Sequence, residues 1–204
     1  MIFGHSNTNS SLKHISSVPH GAPDGGAVGI SGTLEKDINL AIAKITGEVL
    51  EGRGYTVIYT RSDDNGIYDK NSDTIREMKV SDMHARREIM EKSRADLFIS
   101  IHMNSFESAT PRGLHIFYSA QHENIKSLAQ SLQNKISAIT NAPAHTVKTI
   151  SNDLFLMKNP PLPCILAECG FLSNPEEEKL LNDSNYQAKI GWAIADSVCS
   201  YFNF

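Results

Sequence analysis

The chain has 204 residues, 40% of them hydrophobic and 21% charged, which fits one globular domain able to bury a sizeable core. Its 23 acidic against 19 basic residues give a formal charge of −4 without a basic run or stripe, so the sequence argues against nucleic acid as a partner. No apolar stretch reaches membrane-span length, and three cysteines (Cys164, Cys169, Cys199) without a CxxC pair argue against a disulfide framework or a thiolate metal site. Small buried core positions suit them better.

Residues 1–11 are polar, rich in Ser and Asn, and lack the apolar heart of a signal peptide. They read as a flexible leader, part of which an expression vector could supply, ahead of a catalytic domain over 12–204. After the Gly-rich stretch from Gly21 to Gly32, Leu34–Arg53 carries Ile38, Ile42, Ile45 and Val49 at helical spacing. Gly52 and Gly54 close that helix. Tyr55–Thr60 is β-branched and aromatic, as a strand should be. Arg61–Lys79 is polar and turn-rich, and is expected to be a long loop at the rim of a site.

A helix is expected at Ser81–Ser93, a buried strand at Leu97–Ile101 and another strand at Gly113–Ser119. Glu123–Thr140 has the helical pattern, with Ile125, Leu128, Leu132 and Ile136 on one side. Short strands are expected at Leu154–Met157 and Pro163–Glu168. Asn174, Pro175, Glu176 and Glu177 form a helix start, and a last helix should run from Asn185 to Tyr201. The alternation predicts an α/β fold: a single domain with a mostly parallel twisted sheet flanked by helices on both faces.

Four residues stand out on this layout. His20 opens the Gly-rich turn, Glu35 lies in the first turn of the first helix, His102 follows the Leu97–Ile101 strand, and Glu168 ends the last buried strand. Sites in open α/β sheets form outside the carboxyl ends of strands. Two imidazoles and a carboxylate make a catalytic zinc set with one position open, and a further carboxylate can move the proton. Each residue also has a plainer role open to it. Glu35 can serve the helix dipole and His102 can be a hydrogen-bonded structural histidine, while His5 and His14 compete with His20. Glu168 is harder to explain as structure, because it ends an apolar run and needs a partner or a function.

The motifs HGAPDGGAVG (His20–Gly29), LEKDINLAIA (Leu34–Ala43), TRSDD (Thr60–Asp64), ADLFISIHMN (Ala95–Asn104) and CILAECGFLSNPEEEKLL (Cys164–Leu181) occur in order and at family spacing. On them the chain resembles the zinc-dependent N-acetylmuramoyl-L-alanine amidases of the Amidase_3 family, and within it the spore-cortex amidases of the CwlD type. The resemblance covers nearly everything from His20 to Phe204. It implies that His20, Glu35 and His102 bind Zn2+ and that Glu168 is the catalytic acid–base group. The fifteen-residue step from His20 to Glu35 matches the family and prefers His20 over His5 and His14.

The resemblance further implies a peptidoglycan substrate, glycan strand with stem peptide, cut between N-acetylmuramic acid and L-alanine. It places the action outside the cytoplasm, in cell wall or spore envelope, in sporulation and germination, and it leaves any regulatory protein partner unidentified. Asn104, Arg61 and Arg86 are candidates for substrate contacts, with turn or salt-bridge roles as the alternatives. One departure stands out. The family reaches its first histidine through an apolar strand ending in Asp-Pro-Gly, whereas here the approach is His14-Ile15-Ser16-Ser17-Val18-Pro19. A shortened or irregular first strand and weaker zinc binding are therefore expected. The competing readings are another zinc cell-wall hydrolase (carboxypeptidase or deacetylase) and a cell-wall binding or regulatory module that has lost catalysis.

Overall fold

The polar approach to His20 forms a regular strand. In the computed structural model, which describes residues 12–122, 124–150 and 154–202, β1 (Lys13–Ser17) runs parallel to two neighbours at once. The leader 1–11 lies outside the described residues. After β1 come α1 (Glu35–Gly52), β2 (Thr56–Tyr59), α2 (Ile75–Lys92), β3 (Leu97–Asn104) and β4 (His115–Tyr118). The chain continues through α3 (Ile125–Thr140), β5 (Lys148–Thr149), β6 (Cys164–Phe171), α4 (Pro175–Leu181) and α5 (Ser184–Tyr201).

The sheet order is β2-β1-β3-β6-β4-β5. β2, β1, β3 and β6 are parallel, β4 turns antiparallel against β6, and β5 pairs parallel with β4. The expected single α/β domain with a mostly parallel sheet is therefore present. The expected shortening or irregularity of the first strand is not: every residue from His14 to Ser17 is buried and paired in register. Backbone hydrogen bonding to strands on both sides holds β1 despite its polar side chains.

Strand alternation divides the core in two. On one face, Ile99 and Ile101 of β3 and Ile165 and Ala167 of β6 pack with Ile38, Ile42 and Leu50 of α1, with α3 and with α5. The α1 face thus runs through Leu50, with Ile45 and Val49 at its half-buried margin. All three cysteines are free and buried. On the other face a smaller core forms, seven buried residues among the described ones, with Ile15, Phe98, Cys164 and Leu166 and with Met90 from α2. Only the C-terminal part of α2 is seated in this core, and its N-terminal half leaves room for a cleft.

Two expectations need correction here. α2 begins at Ile75, not at Ser81, so the last part of the expected loop is helix. Thr74 accepts from the Glu77 N–H while Glu77 reaches back to the Thr74 N–H, a capping box legible as Thr-x-x-Glu in the sequence. Leu154–Met157 is no strand: Phe155–Met157 form a 3-10 turn that places Met157 in the smaller core. A four-residue apolar run has no period by which to choose between the two.

Candidate metal centre and its cleft

β3 and β6 are in parallel register with His102 opposite Glu168, so both side chains leave the same sheet face side by side. Glu35 is the first residue of α1, where its carboxylate meets the positive end of the helix dipole. It is 3% exposed and turns inward. Oε1 lies 2.9 Å from His102 Nδ1 and Oε2 lies 3.2 Å from His20 Nε2. The Ala27 N–H donates to Oε2 at 2.9 Å, and the Met103 N–H and Asn39 Nδ2 donate to Oε1, both at 3.2 Å.

One ligand atom from each of His20, Glu35 and His102 lies within 4.8 Å of the others. The structure thus brings together the three residues read from the sequence. Of the two competing histidines, His14 lies in the β1 core away from this site, and His5 lies outside the described residues. Three Lewis-base atoms aimed at one point fit a small cation: lone pairs that face one another are tolerated only with a proton or a metal between them. Their proton affinities follow. Burial would raise Glu35, but hydrogen bonds to His102 and His20 and their charge hold its carboxyl far below the usual range. Burial works to lower His20, and the Glu35 and Asp24 carboxylates outweigh it, so His20 is raised.

Glu168 differs from Glu35. Its Oε2 is buried without a hydrogen-bond partner, and burial pushes its proton affinity up. It faces a cavity of about 300 Å³ bounded on one side by His20, His102 and Glu168 and floored by Ser100 and Leu166. The far wall is apolar, made by Ile75, Met78 and Met83 of α2 with Leu154 and Phe155 before and in the 3-10 turn.

The mount of His20 was not legible from its strand pattern. His20 is left-handed at φ 59°, between two bracing arginines. Arg86, 1% exposed, donates through Nη1 to the Val18 carbonyl and Thr60 Oγ1 and through Nη2 to the His20 carbonyl at 3.0 Å. Its remaining donors meet Asp82. Arg61, also buried, donates to the carbonyls of Pro19 (3.3 Å), Lys36 (2.7 Å) and Asp63 (2.5 Å). Both guanidinium groups are committed to main-chain oxygens, the structural role weighed for each beside substrate contact, and Arg86 also lines the cavity. Asn104 follows a bulge in β3 and its Oδ1 accepts from the Ser105 N–H at 2.9 Å, the arrangement of a turn residue.

Loop 61–74 also serves this mount. The Ala22 N–H donates to the Asp64 carbonyl and the Gly66 N–H to the Ala22 carbonyl, stitching the loop to the His20 turn. Gly21, at φ 143°, lies so close to Gly66 that a Cβ would sit 2.6 Å from the Gly66 nitrogen. The loop borders the cleft through Tyr68.

Comparison with known proteins agrees with this architecture. The Amidase_3 family model, N-acetylmuramoyl-L-alanine amidase, matches residues 17–200. The germination-specific N-acetylmuramoyl-L-alanine amidase of Bacillus subtilis is 34% identical over 183 residues, which cover 90% of this chain and 76% of that protein. The CwlD amidase of Clostridioides difficile, solved in complex with the GerS lipoprotein, superposes with a TM-score of 0.89 at 37% identity, covering 95% of this chain and 99% of the other. The catalytic domain of the CwlV amidase of Paenibacillus polymyxa superposes with a TM-score of 0.80 at 28% identity, covering 95% and 99%. The matched span runs from the end of β1 into the last turn of α5 and contains His20, Glu35, His102 and Glu168; the chain belongs to the Amidase_3 family of N-acetylmuramoyl-L-alanine amidases.

Proposed function

We propose that this amidase is zinc-dependent, with His20, Glu35 and His102 as ligands and Glu168 as the group that moves the proton. The observation that carries the reading is the convergence of the three ligand atoms within 4.8 Å beside a fourth, unpartnered carboxylate. The substrate is peptidoglycan, and the bond cut is the amide between the lactyl group of N-acetylmuramic acid and the L-alanine of the stem peptide.

When bound, zinc supplies a water of lowered pKa and polarises the scissile carbonyl. The chain's own residues do the rest. Glu35 places one oxygen toward each imidazole, which holds the three ligand atoms around one point. Glu168, one strand over from His102, takes the proton of the attacking water and returns it to the leaving amine of L-alanine. Burial raises its proton affinity, bringing it nearer the working pH that an acid–base group needs. Ile75, Met78 and Met83 of α2 and Phe155 of the 3-10 turn give the cleft an apolar lining.

The place of action in this reading is the cell wall, and more narrowly the spore envelope, because the Bacillus subtilis relative is germination-specific. A protein partner for this chain is part of the same reading, since the CwlD neighbour was solved with a lipoprotein. No helix among the described residues is long and apolar enough to cross a membrane. The test is metal content together with mass spectrometry of products from intact peptidoglycan. One equivalent of zinc and a newly freed N-terminal L-alanine are expected. Cleavage at another bond, or full activity in the metal-free protein, overturns the reading.

A further inference from the structure

We propose that Asp24 is a positioning residue that acts through His20, fixing which imidazole nitrogen is free to take the metal. The inference rests on the assignment of His20 as a ligand and goes beyond it. Asp24 Oδ2 lies 2.8 Å from His20 Nδ1, and the opposite nitrogen, Nε2, is the one that faces Glu35. A carboxylate can only accept, so in the metal-free protein Nδ1 donates to Asp24 and Nε2 to Glu35; the Asp24 contact is the shorter, 2.8 against 3.2 Å, so the neutral ring keeps the Nδ1 proton and Nε2 is the nitrogen that exchanges its proton for the metal. Free neutral imidazole has no such constraint, and its ring can also rotate about its side-chain bonds.

Asp24 is itself held. Its other oxygen accepts from Lys79 Nζ at 3.0 Å and from the Gly26 N–H at 3.2 Å. Lys79 belongs to α2, so one chain of hydrogen bonds runs from the substrate-facing helix through Asp24 to the ring of His20. The plainer role for Asp24 is to close the turn. That task is already done by the main chain, because Gly21 and Asp24 exchange both N–H to carbonyl bonds at 2.9 Å. The Oδ2 contact with His20 adds nothing to the turn that the backbone lacks. Carboxylates behind metal-binding histidines orient the ring and raise its basicity, and losing one typically costs about 10–100-fold in metal affinity.

The experiment uses the full chain with Asp24→Ala, Asp24→Asn and Lys79→Met, and two readouts. The first is the tautomer of His20 in metal-free protein, read from imidazole 15N shifts at a pH where those shifts themselves show a neutral ring. Wild type should show the proton on Nδ1. Asp24→Ala should move it toward Nε2, and Asp24→Asn, which keeps an acceptor oxygen, should largely retain it. The second is zinc affinity by chelator competition: Asp24→Ala should bind roughly 10–100-fold more weakly. The loss should be smaller for Asp24→Asn and smaller again for Lys79→Met. An unmoved tautomer in Asp24→Ala overturns the proposal whatever zinc does. If that variant does not fold, Asp24→Asn with wild-type zinc affinity overturns it. A wild-type protein that binds no zinc while its tautomer responds as described overturns the zinc assignment and leaves the hold of Asp24 on the ring standing.

Discussion

Arg86 donates from Nη2 to the main-chain oxygen of His20 at 3.0 Å, although the two residues are 66 positions apart. With Arg61 on the Pro19 carbonyl and Arg86 also on Val18, three consecutive carbonyls before the site are taken by guanidinium groups. The segment Val18–His20, between the polar strand β1 and the site, is thus held by two buried arginines. Arg86→Met should strip Asp82 of its guanidinium partner, leaving it the Ile67 N–H, and remove the arginine donor from the Val18 and His20 carbonyls. Breaking a buried ion pair in this way costs about 3–5 kcal/mol. Urea unfolding of the metal-free protein should show it, and zinc affinity should fall with it. Arg86→Lys should recover little, because an ammonium lacks the planar fork. A Met variant within about 1 kcal/mol of wild type would mean that water replaces the brace.

Gly26 provides a test confined to the centre itself. It sits at φ 71°, and a Cβ there would lie 2.6 Å from Glu35 Oε2 and 2.7 Å from His20 Cδ2. Gly26→Ala should therefore push two ligands apart. The backbone strain is about 1–2 kcal/mol, a modest loss in urea unfolding, whereas zinc binding and turnover should fall by far more. Equal losses in stability and zinc binding would place Gly26 in the turn alone.

The sheet and the helices on both its faces were legible because each rests on a pattern longer than a few residues, whereas His20 was preferred over His5 and His14 only through the family resemblance. Leu97–Ile101 and Pro163–Glu168 are apolar runs that only a buried strand accommodates, and their ends place His102 and Glu168. The short pieces were not legible. β5 is two exposed residues long and Leu154–Met157 only four residues long, both too short to carry a period. The start of α2 was written as Thr74-x-x-Glu77, a local signal outweighed by the polar composition around it. The use of Arg61 and Arg86 could not be read at all. Whether an arginine meets substrate or a carbonyl 66 residues away depends on tertiary packing, which leaves no local trace.

His14 carries a prediction for acid. It is 1% exposed in the middle of β1, neither ring nitrogen has a hydrogen-bond partner, and burial lowers its pKa to about 3. The folded protein keeps this ring neutral, while the unfolded chain takes up a proton near 6.5. Its contribution to stability is therefore complete above pH 6.5 and declines as pH falls toward about 3. His14→Leu fills similar space without a proton site, so its acid-unfolding midpoint should move to lower pH. Stability at pH 8 should hold or rise, because two buried unpartnered nitrogens are removed. An unchanged midpoint would show that other groups govern acid unfolding.

Glu168 and Glu35 should separate chemistry from metal binding. Glu168→Gln keeps shape but cannot accept the proton, so turnover should drop by about 10²–10⁴-fold. Zinc content should stay near wild type, since Glu168 is assigned no ligand role. Glu35→Gln should lose zinc and activity together, because an amide replaces the carboxylate that both imidazoles face. The two should differ in stability too. The folded pKa of Glu168 is raised by burial, so ionising it costs the native state stability as pH rises past the ordinary carboxyl value. Glu168→Gln removes that cost, and at pH 7 the variant should unfold at the same temperature as wild type or higher. Glu35 runs the other way. Its pKa is depressed, so its contribution is present above the ordinary carboxyl value and is lost as pH falls through the folded one. In metal-free protein at pH 7, Glu35→Gln should therefore unfold earlier than wild type. A Glu168→Gln enzyme that cleaves peptidoglycan at the normal rate removes the proton-transfer role from this residue. A Glu168→Gln enzyme that is inactive because its zinc has gone makes Glu168 a ligand and leaves proton transfer to another group.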